Sequence, residues 1–263
     1  MKRRQFIEWE DYPWFPKTIR DGETDYLRFM IEKFNIYKHA FPLLKDVLDK
    51  TGDKQIIDMC SGGGGACIKM AEALNNPVEN KFKITLSDKY PNIPSFESIK
   101  IQAAGSVDYI PDSVDVLKVP PAVKGMRTIF SAFHHFEPER AKQILKDAVD
   151  NNAAIGIFEG GERSIIDMLG VIFTTPISFF VFTPFMKPVK LSRFIFTYLI
   201  PLIPLTTIWD GIVSMFRMYK PDELLQMAKE VEPDNYVWRS GRIPYGVSKV
   251  IYLTGYPKNC EGT

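Results

Sequence analysis

The chain has 263 residues, of which 45% are hydrophobic and 25% are charged, and its formal net charge is +1. This length can bury a full hydrophobic core, and the near-zero charge gives no reason to expect a nucleic-acid partner. Three cysteines are too few for a disulfide framework, so we interpret them as reduced thiols of a cytoplasmic protein. The basic first residues lack the apolar core of a signal peptide, in agreement with that location.

The first 53 residues combine an aromatic arm with two helical patterns. Residues 6–16 are aromatic and irregular, and we favour packing of this arm on the core over a lid on an apolar substrate. Apolar residues at helical spacing predict helices over 25–34 and 41–48. We therefore expect residues 1–53 to form a separate unit of arm and helices, acting as a lid or cap.

Strands and helices alternate from residue 54 to residue 161. The patterns predict strands over 55–59, 82–88, 99–101, 127–133 and 153–158, and helices over 66–74 and from Pro138 onward. This alternation predicts an α/β fold, a parallel sheet with helices on both faces, in which ligands bind beyond the carboxyl ends of the strands. Residues 211–263 complete the core with a helix that opens at Pro221 and strands over 236–238 and 247–254.

Four consecutive glycines, residues 62–65, follow the first predicted strand. Glycines let backbone N–H groups approach a ligand with no Cβ in the way. Asp88 ends the second strand, where an acid can accept hydrogen bonds from ribose hydroxyls. A dinucleotide site would also combine a glycine turn with an acid, but the dinucleotide-binding motif spaces the glycines as G-x-G-x-x-G, with the acid about 20 residues further on. Cys60 and Cys67 flank the glycines without partner ligands nearby, so we expect no metal site.

Several segments together resemble class I S-adenosylmethionine-dependent methyltransferases that act on small molecules. Residues 58–64 resemble the first motif of that family, an acid followed by x-x-x-G-x-G, and residues 115–120 resemble its D-A-x-x-L-P segment. Residues 131–136 resemble the fourth-strand motif that faces the methyl-transfer site. The resemblance covers residues 54–160 well and 210–255 loosely. It implies a Rossmann-like, seven-stranded methyltransferase sheet and S-adenosyl-L-methionine as the cofactor.

The resemblance also implies how the cofactor is held. The glycine turn would contact its methionine part, Asp88 its ribose and Asp115 its adenine amino group, while Val116 would line the adenine. The cofactor-binding residues expected on this basis are Asp58, Ser61, Gly62, Gly63, Gly64, Asp88, Lys89, Asp115, Val116 and Ser131. Cys60 within the turn and a long apolar insertion depart from the family pattern, and the insertion leaves the substrate class open.

Catalytic candidates follow from what methyl transfer requires. The protein must align the nucleophile, the methyl group and the sulfur, and it needs a general base only if the acceptor keeps its proton at neutral pH. His134 or His135 could be that base with a pKa near neutrality, and at a strand end only one of the two would face the pocket. Glu159, at the end of the fifth strand, is a further candidate. Asp210 and Arg217 resemble a stretch before the last helix of the family, and either face the pocket or only form an ion pair.

Residues 162–210 interrupt the alternation with an apolar insertion. Neither 168–186 nor 194–209 contains a charged residue. The first run approaches the ~20 residues that span a bilayer, but prolines interrupt both runs. We favour a membrane-surface hairpin, with Lys187, Lys190 and Arg193 suited to anionic headgroups, over a soluble helical cap that lines an oily pocket, and a true span least.

The sequence thus predicts a methyltransferase that acts on a hydrophobic small molecule or lipid-like acceptor, with O-methylation preferred to C-methylation. The alternatives are a S-adenosylmethionine-binding protein with other chemistry or a regulatory role, an NAD-linked oxidoreductase and a non-catalytic membrane-associated binding protein. We expect no nucleic-acid partner, and we expect a cytoplasmic location with peripheral membrane association as an option.

Overall fold

A seven-stranded sheet forms the centre of the computed structural model, which describes residues 2–75, 81–103 and 105–260. The strands are β1 (Gln55–Met59), β2 (Lys83–Leu86), β3 (Val107–Tyr109), β4 (Met126–Phe130), β5 (Ile155–Glu159), β6 (Tyr236–Tyr245) and β7 (Ser248–Pro257). Their order is β3-β2-β1-β4-β5-β7-β6. The first five strands are parallel, and β7 runs antiparallel to both of its neighbours.

Helices cover both faces of this sheet. They are α1 (Lys17–Phe34), α2 (Phe41–Thr51), α3 (Cys67–Leu74), α4 (Ile93–Gln102), α5 (Pro138–Asp150), α6 (Ile165–Phe182), α7 (Leu191–Phe194), α8 (Leu202–Arg217) and α9 (Pro221–Val231). Apolar side chains of α2, α3 and α4 bury against one face, and those of α5 and α9 bury against the other. Strands β4 and β5 are buried along their whole length, as expected for central parallel strands. The predicted α/β architecture is confirmed.

Two predicted strand segments are wrong. Residues 99–101 belong to α4, a helix with a proline in its first turn, and the third strand comes later, at Val107–Tyr109. The fourth strand ends at Phe130 because Ser131 adopts a left-handed φ of 50°, and Phe133–His135 form a short 3-10 turn. The two histidines therefore do not alternate as strand residues.

The apolar insertion forms a layer of helices, residues 165–217, that packs on α1 and is called the apolar layer below. Phe179 stacks on Tyr26 with ring centroids 3.9 Å apart, and both are buried in a small cluster of their own. Asp25 of α1 is fully buried and pairs with Lys190, at 2.7 Å, and with Arg193. These two cations anchor the insertion to the core, so the expectation that they meet headgroups is wrong.

The outer surface of the apolar layer is unusually apolar. The segment Ile165–Phe185 has a mean hydropathy of 2.0, long and apolar enough to cross a membrane, yet only 17% of it is buried. A second segment, α7 followed by α8, is bent by 79° at its break. A core helix of a soluble protein would be mostly buried, and this one is not.

Candidate active site

A cavity of about 630 Å³ opens beyond the carboxyl ends of β1, β2 and β4, where the fold places ligands. Its inner wall comes from the loops after these strands, and its outer wall comes from α1 and the N-terminal arm, residues 2–16. The lining includes Gln5, Phe6, Ile7, Glu10, Asp11, Tyr12, Arg20, Thr24, Arg28, Cys60, Ser61, Gly62, Gly63, Asp88, Lys89, Asp115, Val116, Ser131, His135 and Arg217. Of the predicted cofactor-binding residues, all but Asp58 and Gly64 line this cavity.

The glycine turn, residues 62–65, forms the floor between β1 and α3. Gly62 and Gly64 adopt left-handed φ angles of 55° and 100°, which glycine tolerates without strain. A Cβ on Gly63 would lie 2.4 Å from the carbonyl oxygen of Thr24, so the turn packs directly on the backbone of α1. The Ser95 hydroxyl donates to the Gly63 carbonyl at 2.8 Å and fixes the turn from α4.

Asp58 lies behind the turn rather than in the cavity. Its carboxylate accepts hydrogen bonds from the hydroxyls of Thr128, at 2.8 Å, and Ser61, at 2.7 Å, and from the thiol of Cys67. Burial raises the pKa of Asp58 to about 6, despite these bonds. The residue links the end of β1 to β4 and α3. Its effect on a cofactor is therefore indirect, because it fixes the position of the glycine turn.

Asp88 stands at the cavity wall with both oxygens held in place. One oxygen accepts from the backbone N–H of Gly62 and the other from that of Tyr90, each at 2.7 Å. Burial raises the pKa of Asp88 above its usual value, although these backbone bonds oppose the shift. A carboxylate oxygen accepts more than one hydrogen bond, so the group retains capacity for two hydroxyls of a ligand.

Asp115 and Val116 lie next to Asp88 at the same end of the cavity. Asp115 forms an ion pair with Lys89 at 3.4 Å and accepts from the backbone N–H of Leu117. The Val116 side chain is buried and lines the cavity. Ser131, at the end of β4, faces the same space and hydrogen-bonds the buried hydroxyl of Tyr37. An apolar wall beside acidic groups suits a planar, amine-bearing ring.

The two histidines after β4 have different surroundings. His134 is buried outside the cavity lining, with Nδ1 2.8 Å from one carboxylate oxygen of Glu159, and its backbone N–H donates to the other at 3.0 Å. Glu159 is also buried, and the structure places both residues behind the wall. Of the pair, only His135 lines the cavity among the described residues.

His135 is surrounded by carboxylates from the N-terminal arm. Its Nδ1 lies 2.7 Å from Asp11 and 2.9 Å from Glu8. Burial would lower the pKa of His135, but the charges of Glu8 and Asp11 outweigh it and raise this pKa well above its usual value. The expectation of a pKa near neutrality is therefore wrong for His135.

The acidic residues of the arm are the main part of the site that sequence reasoning missed. Burial, helped by the charges of Glu8 and Asp210, raises the pKa of Glu10 to about 8, although His135 opposes the shift. Burial would also raise the pKa of Asp11, but His135 and Arg217 outweigh it and lower this pKa. The only local signal is a set of acids, at positions 8, 10 and 11, within an aromatic segment.

Asp210 and Arg217 each contact the N-terminal arm and hold it in place, and they do not pair with each other. The Asp210 carboxylate accepts from the backbone N–H groups of Trp9, at 2.9 Å, and Glu10, at 3.2 Å. Burial raises the pKa of Asp210 to about 6. Arg217 donates to the Phe6 carbonyl and to Asp11, both at 2.7 Å, and lines the cavity, whereas Asp210 does not.

Arg20 of α1 fastens the far end of the arm. Its guanidinium donates to the carbonyls of Glu10, at 3.0 Å, and Tyr12, at 2.5 Å, and lies 4.3 Å from the ring centre of Tyr90. The arm is thus bound by cations at both ends while its own side chains line the cavity. It is packed on the core, as favoured from the sequence, and it also forms the outer wall of the cavity.

No family model matches the sequence, and no curated protein matches it. Among solved structures, two of the methyltransferase domain of bacterial CtHen1 match with a TM-score of 0.51 at 12% and 11% identity, each covering 84% of this chain. The matches cover 99% and 98% of those chains. The S-adenosylmethionine-dependent methyltransferase SibL matches at 14% identity with a TM-score of 0.49, covering 84% of this chain and 55% of SibL.

The chain thus spans little more than half the length of proteins such as SibL, and at these identities the likeness concerns the fold. The strand order with an antiparallel β7, the glycine turn after β1 and the cavity at the carboxyl ends of the strands agree with it. The chain has the fold of class I S-adenosylmethionine-dependent methyltransferases.

Proposed function

We propose that the protein is a S-adenosyl-L-methionine-dependent methyltransferase. The observation that carries the proposal is one cavity that joins the glycine turn, Asp88 and the Asp115–Val116 segment at one end to His135 and the arm at the other. The first group offers backbone N–H groups, ribose acceptors and an apolar wall, in the order that the parts of the cofactor require. The second group is a set of charged residues at the place where an acceptor would meet the methyl group.

When bound, the cofactor supplies an electrophilic methyl group on a sulfonium. The chain contributes alignment and exclusion of water, because the arm covers the cavity and is fixed by Arg20, Asp210 and Arg217. We propose O-methylation, since His135 presents a nitrogen beside Asp11 and Glu10 on the cavity wall, where a hydroxyl or carboxyl oxygen can be oriented. His134 and Glu159 then act as positioning residues, because neither of them lines the cavity.

We further propose that the acceptor is a hydrophobic small molecule or lipid and that the apolar layer lies on the surface of a membrane. Its exposed apolar side chains continue from α6 through the following turns to α8, and all of them lie on one layer. They are Ile165, Ile166, Leu169, Ile172, Phe173, Ile177, Phe180, Val181, Phe185, Val189, Leu191, Tyr198, Leu199, Ile200, Leu202, Leu205 and Trp209. A layer with this many exposed apolar side chains is rare on monomeric soluble proteins and typical of membrane contact.

The occupant of this surface is a bilayer rather than a second copy of the chain or a buried cap. The 79° bend between residues 199 and 202 suits a position in the headgroup region more than a straight span for that part of the layer. The expectation that a proline interrupts the first apolar run is wrong, because α6 continues through Pro176. With Lys190 and Arg193 occupied by Asp25, we expect attraction by apolar insertion more than by anionic headgroups. The three free cysteines agree with a position on the cytoplasmic side.

Isothermal titration calorimetry with S-adenosylhomocysteine and, separately, with NADH tests the cofactor. We expect one equivalent of the former to bind and no heat from the latter. Binding of NADH alone would favour an oxidoreductase, and binding of neither would favour a non-catalytic protein. Transfer of tritiated methyl from S-adenosylmethionine to a membrane lipid extract then separates a methyltransferase from a protein that only binds the cofactor.

A further inference from the structure

Behind the cavity wall, three side chains turn ligating atoms toward one point. The ligating atoms of Glu8, His134 and His135 lie within 4.8 Å of one another, and Glu8 and His134 are both more than nine-tenths buried. Glu8 comes from the arm, and the histidines come from the turn after β4. The cluster therefore exists only when the arm is in place on the core.

The Nε2 atom of His134 is buried and has no hydrogen-bond partner among the described residues. Glu159 sits on the opposite side of the ring, 2.8 Å from Nδ1, and favours the proton on that nitrogen, which leaves a lone pair on Nε2. Nε2 lies 3.9 Å from Oε1 of Glu8. A buried acceptor aimed at a second acceptor is costly unless a cation lies between them.

The distances suit a metal ion. Zinc lies about 2.0–2.1 Å from imidazole nitrogen and about 2.0–2.2 Å from carboxylate oxygen, so two such ligands are at most roughly 4.3 Å apart. The 3.9 Å between Nε2 and the Glu8 oxygen falls within that limit. His135, whose Nδ1 is 2.9 Å from the other Glu8 oxygen, provides the third ligand once the ion has displaced a ring proton.

The outer contacts of these residues are those that metal ligands commonly have. Glu159 orients His134, as a carboxylate orients a zinc-bound histidine, and the hydroxyl of Ser214 donates to Oε1 of Glu8 at 3.0 Å. Arg217 contacts the other oxygen of Glu8, Oε2, at 3.1 Å, so it does not stand between Oε1 and His134. Two further carboxylates lie next to the cluster, that of Glu10, 3.8 Å from Nε2 of His135, and that of Asp11, 2.7 Å from its Nδ1.

We propose that Glu8, His134 and His135 form a site for a divalent transition-metal ion of the zinc class. Two imidazoles and one carboxylate favour Zn²⁺ or Co²⁺ over Mg²⁺ and Ca²⁺, which prefer oxygen ligands. The ion lies at the cavity wall beside His135 and keeps a coordination position for an oxygen of the acceptor. This last role rests on the proposed methyltransferase activity, whereas binding of the ion does not.

The test is metal binding by the full chain after treatment with a chelator. Titration with Zn²⁺ is expected to show one equivalent bound, and Co²⁺ to give the visible absorption bands of a low-symmetry site. Glu8→Gln and His134→Gln should each weaken binding tenfold or more, and Glu159→Gln by 10–100-fold through the outer contact. His39→Gln is the matched control, because His39 is exposed and is the third of the three histidines in the chain.

Affinity for S-adenosylhomocysteine, measured on each variant, shows that the variant is folded. Absence of Zn²⁺ binding by the unsubstituted chain would overturn the site, as would equal affinities in Glu8→Gln and His39→Gln. Zinc binding without any S-adenosylhomocysteine binding would leave the metal site standing and reject the proposed function.

Discussion

Helix α1 contributes to both the cavity wall and the apolar layer, but through different kinds of contact. Toward the cavity, α1 presents Thr24 and Arg28, beside polar groups such as Asp88 that single hydrogen bonds hold in place. Toward the apolar layer it presents Tyr26, which stacks on Phe179, and Asp25, which pairs with Lys190 and Arg193. One region is specified by directional contacts between single residues, and the other by the total amount of apolar surface.

The comparison teaches which changes each region tolerates. In the cavity wall a single lost acceptor leaves buried donors without partners, so the effect of a substitution is local and specific. In the apolar layer no single exposed side chain is essential, and effects accumulate with the apolar area removed. The predictions below test this difference from the largest expected effect to the smallest.

The largest effect is expected from a pair of substitutions on α6. Phe173 and Ile177 are 66% exposed each and lie one helical turn apart. Changing both to Ser removes apolar area worth about 4 kcal/mol, at roughly 2 kcal/mol per inserted side chain, and should weaken liposome binding about 1000-fold. Flotation with neutral phosphatidylcholine vesicles measures it.

The matched control substitutes two exposed apolar residues that lie outside the apolar layer. Ile101 and Val247 are 81% and 89% exposed and belong to α4 and to the β6–β7 turn. Ile101→Ser with Val247→Ser should leave flotation unchanged. If the unsubstituted chain stays at the bottom of the gradient, the apolar layer is a soluble cap and the membrane proposal fails.

A pH effect on stability of about 3 kcal/mol is expected at Asp58. Its pKa of about 6 lies above its usual value, so the folded state binds the proton more tightly than the unfolded state. The stabilising contribution is complete below pH ~4, the unfolded pKa, and is lost as the pH rises through about 6; the shift is worth about 3 kcal/mol at 1.36 kcal/mol per unit. Urea unfolding of the wild type and Asp58→Asn at pH 4 and pH 7 should show this change in their stability difference. A constant difference would mean that Asp58 is not protonated in the folded state.

Substitution of Asp88 is expected to weaken cofactor binding by about 2 kcal/mol. Asp88→Ala removes the acceptors of the ribose hydroxyls and releases the backbone N–H of Gly62, and hydrogen bonds to a charged group are worth roughly 1.5–3 kcal/mol each. Affinity for S-adenosylhomocysteine should fall 10–100-fold in calorimetry. Asp108→Ala, an exposed acid on β3 paired with Lys100, should bind like the wild type. Unchanged affinity in Asp88→Ala would reject its ribose role.

The part of the fold and site that could be predicted from the sequence is the part encoded locally. Strand β1, the glycine turn and Asp88 lie within short segments whose apolar pattern and glycines specify the backbone. The position of the cavity then follows from the parallel sheet, because the carboxyl ends of its strands meet at one edge.

The rest of the site depends on contacts between distant parts of the chain, which no local pattern reports. Asp11 meets His135 across 124 residues, and Arg217 meets Asp11 across 206. The exposed apolar pattern of the insertion could be seen in the sequence, but the partner of Lys190 could not, because Asp25 lies 165 residues away in the chain. The left-handed conformation of Ser131, which precedes the turn that contains His134, could not be predicted either, because the residue is not a glycine.

The smallest predicted effect compares two glycines inside helices. A Cβ on Gly170 of α6 would meet nothing within 4 Å, whereas a Cβ on Gly22 of α1 would lie 2.4 Å from Cδ1 of Ile203. Gly170→Ala should therefore stabilise the chain by about 0.5–1 kcal/mol through helix propensity alone. Gly22→Ala should destabilise it, because the buried side chain of Ile203 must leave its position against α1. Both are measured as shifts in the urea midpoint without detergent.

Whether Gly170→Ala raises or lowers the stability of the chain distinguishes an apolar layer free of protein contacts from one covered by another protein. If the outer face of α6 is free of protein contacts, an added methyl group has no atom to displace and only the gain in helix propensity remains. If a second copy of the chain packs on this face in solution, the same methyl group enters a close-packed interface and Gly170→Ala destabilises, as Gly22→Ala does. Destabilisation by Gly170→Ala would therefore replace the bilayer with another protein surface as the partner of the apolar layer.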